Sequence, residues 1–372
     1  MRYKKFLALL LALTLVCGSL SGCASERQTE PAEPTVSFTD SLGRTVDIPE
    51  TLTRVAPSGA VASMFLATIA PEYMTTINAT PSSSQYKYLD PRLIDLPTTG
   101  QMYGSKSTLN LESILTSGAQ IVIDLGDKKG NMAADLDALQ RQIGMPVIFI
   151  EADLPHMAEA YRTLGNILSG KEARGEELAA FVEETVSMAK ENALKIQDAE
   201  RISVLYTSGS SGLNTNAKGS IQAQVLDLMG IENAAVVEDV SNKGGGNPIN
   251  LEQLYRFDPD VILFTAGSTY STAADDEAWQ PLRAIEAGRY YEIPSMPYNW
   301  LSNPPSLNML LGVWWLGNLL YPQYYAYDMV EKTQEMFRLL WSYDLSADEA
   351  RAMLANSTLK GCLLYTSPSP RD

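Results

Sequence analysis

One short segment occurs twice in this chain, once in each half. Asn110-Leu111-Glu112-Ser113-Ile114 precedes the apolar run Ile121-Val122-Ile123, and Asn250-Leu251-Glu252-Gln253-Leu254 precedes Val261-Ile262-Leu263, at a constant offset of 140 residues. The same triplet before two equivalent β-branched runs points to two similar lobes, each placing a short helix ahead of a buried strand. Each glutamate falls in the first turn of its helix, where negative charge suits the helix dipole. That accounts for stability, but not for why both lobes present the same acid.

The rest of the chain follows the same grammar. Strand candidates at 54–56, 74–79, 120–124 and 147–150 in the first half, and at 202–206, 261–265 and 290–293 in the second, alternate with helical stretches. Such alternation is the mark of βαβ units around a mostly parallel sheet. Between the halves, Lys171 to Gln197 is rich in Glu, Ala and Lys, with no proline and only Gly175 to weaken it. Leu178, Phe181, Val182, Val186 and Met188 recur there at near-helical spacing, which predicts one long helix joining the lobes. The expected fold class is α/β. Its expected divisions are an N-terminal lobe over 36–168, a linking helix over 169–199 and a C-terminal lobe over 200–361.

Both ends carry other signals. Arg2, Lys4 and Lys5 precede the apolar run Phe6 to Val16, which is too short to span a bilayer as a mature helix and reads as a secretory signal over residues 1–22. It ends in Leu20-Ser21-Gly22-Cys23, the pattern of a bacterial lipobox, so Cys23 is expected to carry a lipid and residues 23–35 to form a polar tether. At the other end, Cys362 to Asp372 reads codon for codon as a translated transposase sequencing adapter. It is set aside as foreign, and the gene is expected to be cut near Gly361.

Composition removes several chemistries. Of the three cysteines, Cys17 lies in the signal, Cys23 at the lipid site and Cys362 in the tail, so no disulfide, thiolate metal site or cysteine nucleophile is expected in the body. A net charge of −16 argues against nucleic acid, whose phosphates require Lys/Arg patches. The single histidine, His156, opens a helix running to about Leu168 and is expected to be solvated there. A multi-histidine metal cage would need more than one. A secreted hydrolase is the alternative from another class, since Ser208 to Gly212 (SGSSG) follows a strand. The run lacks the G-x-S-x-G spacing of a nucleophile elbow, and only His156 could serve as base.

The order of several motifs carries a family resemblance over about Val36 to Ala355. Thr39-Asp40-Ser41-Leu42-Gly43-Arg44-Thr45-Val46-Asp47-Ile48-Pro49 with Thr53-Arg54-Val55, the repeated Asn-Leu-Glu, Phe257-Asp258-Pro259-Asp260-Val261-Ile262, Asn303-Pro304-Pro305-Ser306 and Trp314-Trp315-Leu316 resemble the periplasmic-binding-protein domains of ABC importers for siderophores, haem and cobalamin. The resemblance implies two Rossmann-like lobes bridged by a long helix, ligand in the cleft between them, no cofactor and no catalysis. It further implies that Glu112 and Glu252 dock to arginines on a permease dimer driven by an ATPase. Relatives often carry an arginine where this chain has Asn303, so no anion clamp is expected at that position.

In open α/β sheets, ligands meet the loops beyond the strands' carboxyl ends. Candidate ligand-binding residues are therefore Ser58, Gly59, Tyr103, Lys128, Tyr206, Ser208, Tyr298, Trp300 and Asn303. The aromatic members offer flat apolar faces with polar handles suited to a bulky chelate. Lys128-Lys129 is the compact basic pair on these loops, and Gly244-Gly245-Gly246 beside Lys243 reads as a surface loop. The expected ligand is an iron-siderophore-type chelate, with corrinoid, haem or a tungstate- or molybdate-type oxyanion as alternatives. The chain is expected to act as a monomer outside the cytoplasm, touching the membrane only through its lipid.

Overall fold

Alternate residues of the buried strands face opposite helical layers, and this alternation organises both halves. The computed structural model describes residues 33–103, 109–242, 245–302 and 304–359. The signal segment, Cys23 and nearly all of its tether, Lys243, Gly244, Asn303 and the adapter-like tail lie outside the described residues.

A hairpin of β1 (Thr35–Thr39) and β2 (Thr45–Pro49) opens the fold. Its turn explains the motif at the chain's start. The buried Asp40 carboxylate accepts from the backbone N–H groups of Leu42 and Arg44 and from the Arg44 guanidinium, while Gly43 adopts φ 78°. Arg44 continues to Asp137 at 2.9 Å and to the Val147 carbonyl, so the motif fastens the hairpin to the first sheet.

That sheet is parallel, in the order β3 (Val55–Pro57), β4 (Ile121–Gly126), β5 (Val147–Glu151). Ile121, Ile123 and Leu125 of β4, with Ile148 and Ile150 of β5, face α1 (Ala60–Ile69) and α4 (Met157–Ile167). Val122, Val147 and Phe149 point the other way, against α2 (Leu111–Thr116) and α3 (Met132–Ile143). Both faces are covered, as a parallel sheet requires. The expected strand at 74–79 makes only isolated bridges, Val55 to Met74 and Ile77 to Thr98. The segment's backbone turns aside to bond Pro97 and the Ser63 hydroxyl, so it borders the sheet without joining it.

The second sheet repeats the alternation. Its parallel core is β11 (Tyr290–Glu292), β10 (Val261–Phe264) and β6 (Ser203–Ser208), with β8 (Glu232–Asn233) parallel to the start of β6. β7 (Asn214–Thr215) pairs antiparallel with the end of β6, and β9 (Asn247–Pro248) with β7. These pairings follow an excursion that strand periodicity does not reveal, because each involves only two residues. The outer helices here are α7 (Leu251–Phe257) and α8 (Arg283–Glu286), with α6 (Gln224–Leu228) on the inner side.

Between the sheets runs α5 (Glu172–Ala193), about 33 Å long at 1.5 Å per residue. It packs on α1 and α4 of the first half and on α6 and α9 (Asn308–Leu320) of the second. Its apolar residues Leu178, Phe181 and Val182 belong to one cluster with the inner faces of both sheets. The helix ends before Gln197, where Gln197 and Glu200 cap a separate single turn. Helices α10 (Met329–Trp341) and α11 (Ala347–Leu354) return to the first half: Lys87 pairs with Glu349 at 2.8 Å, and Tyr88 packs edge-on against Phe337 and Tyr343.

Candidate functional site

The carboxyl ends of β3 and β4 and the first turn of α1 form one wall of a cavity of about 480 Å³. From this side come Ser58, Gly59, Gln101, Tyr103, Asp124 and Asp127, with Lys129 beside them. The opposite wall belongs to the second half: Ile221, Gln222, Asn242, Pro304 and Pro305. Gly59 lets this segment come close: a β carbon there would lie 3.2 Å from that of Gln101, tighter than ordinary contact. The Met102 amide donates to the Ser58 carbonyl at 2.8 Å, which holds the Gln101–Tyr103 segment against that glycine.

Asp124 is the electrostatic centre. It sits inside β4 with 4% of its surface exposed, and Ser58 donates its hydroxyl proton to Oδ1. Oδ2 is buried without a hydrogen-bond partner among the described residues. Burial pushes the carboxyl up to about 6, with the Ser58 hydrogen bond and the Lys129 charge opposing. Burial also raises Asp127, again against Lys129. The Lys129 ammonium lies 4.8 Å from the centre of the Tyr103 ring, a cation–π contact that positions the cavity's one described cation. Burial and the Asp124 and Asp135 carboxylates hold the Tyr103 phenol well above its usual range, so it stays a neutral hydroxyl. Gln222 gives its amide N–H to the Asn242 carbonyl at 3.2 Å, and its own oxygen is buried without a hydrogen-bond partner among the described residues. The described lining thus offers neutral donors and acceptors, two carboxylates and one ammonium.

The candidates from sequence fall into distinct places. Ser58, Gly59 and Tyr103 line this cavity. Lys128 does not: its ammonium pairs with Glu151 at 2.6 Å, and neither residue is in the cavity lining. Tyr298 borders a smaller cleft of about 150 Å³ with Gln85 and Pro304. Tyr206 is fully buried, its hydroxyl 2.8 Å from that of Ser302. Ser208 is buried and donates to the Gly245 carbonyl at 3.2 Å. Trp300 is fully buried, with its indole N–H on the Met296 carbonyl at 2.9 Å. Asn303 lies outside the described residues. The loop rule selected the first half's wall but not Ile221, Gln222 and Asn242. Those residues follow the β7 excursion, so they reach the cavity without standing at the end of a recognisable strand.

Glu112 and Glu252 are exposed at matching positions of α2 and α7. Asn110 and Asn250 cap the two helices, accepting from Ser113 N–H at 3.1 Å and Gln253 N–H at 2.8 Å. His156 stands at the N-cap position of α4, outside the cavity lining, without a capping side-chain hydrogen bond; its Nδ1 lies against Asp153 and its Nε2 3.9 Å from Glu151. The ligand atoms of Glu151, Asp153 and His156 lie within 4.8 Å of one another, and the Lys128 ammonium pairs with Glu151 of this group at 2.6 Å. Ser208 and His156 stand in different halves, each tied to other partners, so they form no nucleophile–base pair. No helix among the described residues is long and apolar enough to cross a membrane.

Two α/β halves, a bridging helix and a polar cavity walled by both halves define a solute-binding architecture. Residues 56–297 match the family described as periplasmic binding protein, and the chain belongs to that family. It is similar to the Fe(3+)-citrate-binding protein YfmC of Bacillus subtilis, 23% identical over 77% of this chain and 89% of the relative. It is also similar to the putative ABC transporter substrate-binding lipoprotein YhfQ of the same organism, 22% identical over 82% of this chain and 93% of that one. Among solved structures, an ABC transporter solute-binding protein from Sulfurospirillum deleyianum superposes with TM-score 0.78 at 25% identity, covering 86% of this chain and 99% of its own. The protein is a substrate-binding component of an ABC transporter, a family that binds and releases rather than catalyses.

Proposed function

We propose that this protein, lipid-anchored at Cys23 outside the cytoplasm, captures a siderophore-type ferric chelate and delivers it to an ABC permease dimer with its ATPase. The composition of the cavity carries the ligand reading. A tetrahedral oxyanion needs on the order of 100 Å³ if each oxygen takes about one water's share of 30 Å³. The cavity is several times larger, and among its described residues it sets two carboxylates against a single ammonium. A dianion there would face Asp124 and Asp127, whereas an organic chelate with amide or hydroxyl donors satisfies the free Asp124 and Gln222 oxygens. The name of the Bacillus subtilis relative points to ferric chelates as well. The lipoprotein description of the second relative supports the anchor.

Tryptophan-fluorescence titration with a neutral ferric trihydroxamate, ferric citrate, cobalamin, haemin and molybdate tests the ligand, alongside native mass spectrometry of protein from its host. The trihydroxamate is expected to bind most tightly. Tightest binding of molybdate or of a corrinoid sinks the chelate reading. Replacing Cys23 with Ala should release soluble protein or leave unprocessed precursor, and retention like wild type would rule out the anchor.

Glu112 and Glu252, exposed and equivalent, are the proposed permease contacts. Glu112→Arg with Glu252→Arg should abolish uptake in reconstituted vesicles while ligand affinity stays at the wild-type value. Normal uptake would reduce both to helix-start acids.

A further inference from the structure

The two short helices that carry the acids break a general rule of surface helices in the same way. Each buries one large side chain, Ile114 in α2 and Leu254 in α7. A helix so placed should turn polar residues outward. Instead Leu115 is 51% exposed in α2, while Leu251 is 39% and Tyr255 42% exposed in α7. Among the described residues, the large hydrophobic side chains most exposed on any helix all lie on these two. The registers match: Leu111, half-buried against the first sheet's core, and exposed Leu115 stand four apart beside Glu112, as exposed Leu251 and Tyr255 stand beside Glu252, at the repeat's constant offset of 140 residues. Residues four apart share one stripe of a helix.

We infer that each lobe docks through an apolar stripe as well as a carboxylate. The partner then presents, twice, an apolar socket with a basic residue at its edge. This rests on the permease-docking reading of Glu112 and Glu252 and deepens it by adding the groups that supply contact area. Charge selects the occupant. A second copy of this chain would offer these acids one cation, Arg256, which already pairs with Glu252 of its own helix at 3.2 Å, on a molecule of net charge −16. An anionic lipid surface would repel the same carboxylates. A two-subunit membrane protein with matched basic and apolar sites fits both stripes. Apolar contacts at the centre of an interface resist dissociation, whereas rim charges mainly steer approach.

The test uses the full-length protein loaded with the neutral ferric trihydroxamate and proteoliposomes holding the cognate permease and ATPase. Leu115→Ser with Tyr255→Ser should keep the melting temperature within a few degrees and leave ligand affinity unchanged, yet weaken docking at least tenfold. That loss should persist at high salt. The loss in Glu112→Gln with Glu252→Gln should shrink as salt is added, because screening weakens the wild-type charge contacts too. If the serine variant docks like wild type while the glutamine variant docks weakly, the apolar inference is overturned and the acid contacts stand. If both dock like wild type, the permease-docking reading itself fails. Should wild type sediment as a dimer that the serine variant converts to monomer, the stripes serve self-association and the inference is overturned.

Discussion

Gly165 of α4 and Gly175 of α5 touch where the two helices cross: a β carbon at Gly175 would fall 2.8 Å from the α carbon of Gly165 and 2.6 Å from the Tyr161 carbonyl oxygen. Both obstacles are backbone, so neither can swing aside. In an exposed helix Gly175→Ala would add about 1 kcal/mol of stability through propensity. At this crossing the overpacking cost of about 1–3 kcal/mol works against it. Because both contacts are with backbone, the cost should lie at the upper end of that range, for a net destabilisation of up to about 2 kcal/mol in urea unfolding. Unchanged or higher stability would mean that α5 slides freely over α4.

Asp124 should make stability depend on pH. Its folded pKa of about 6 lies above the ordinary 3.8, so between those values the native protein holds a proton that the unfolded chain has lost. Its contribution therefore favours the fold at low pH and is lost as pH rises through 4 to 6, by about 3 kcal/mol at 1.4 kcal/mol per unit. Asp124→Asn removes the buried charge. The variant is expected to gain more in melting temperature at pH 7.5 than at pH 4.5, in the absence of ligand. An equal shift at both values would show that the carboxylate is not titrating there.

Lys129 and Lys128 are neighbours in sequence with separate surroundings. Lys129 reaches the cavity over Tyr103, whereas Lys128 is occupied by Glu151 outside the cavity lining. Lys129→Ala is expected to change chelate affinity about tenfold, or about 1.4 kcal/mol. Lys128→Ala should change it by less than a factor of two or three. Titration of both variants decides, and the reverse order would move the ligand to the rim.

Trp300 should behave as a core residue. Its complete burial and its indole hydrogen bond to Met296 predict a loss of about 3–5 kcal/mol on substitution by alanine. Thermal unfolding should report that loss whether or not ligand is present. A stable Trp300→Ala protein with impaired binding would instead put the indole on the ligand.

Closure on binding should be small. Helix α5 crosses between the halves as one rigid element, and the Lys87–Glu349 pair and the Gln85 side chain on the Pro297 carbonyl, 2.7 Å away, tie them from other directions. A rotation of a few degrees is expected rather than the wide hinge bending that flexible crossing strands permit. Small-angle scattering of free and loaded protein tests this, and a large compaction on loading would contradict it.

Periodicity in the chain was enough to specify the alternating strands, the long helix and the repeated Asn-Leu-Glu helices, because each is a local pattern in which neighbours dictate which face is buried. Ile121, Val122 and Ile123 could sit only in a strand covered on both sides, and Leu178, Phe181 and Val182 only on a helix with an apolar stripe. Side-chain destination was a different matter. Whether Tyr206 and Trp300 faced ligand or core, and whether Lys128 or Lys129 entered the cavity, depended on contacts between segments far apart in the chain. The far wall at Ile221, Gln222 and Asn242 arises from two-residue pairings too short to leave a periodic trace. The exposure of Leu115 and Tyr255 likewise reflects where each helix lies on its sheet. Local propensity encodes the elements, but only their packing decides which atoms are left facing water.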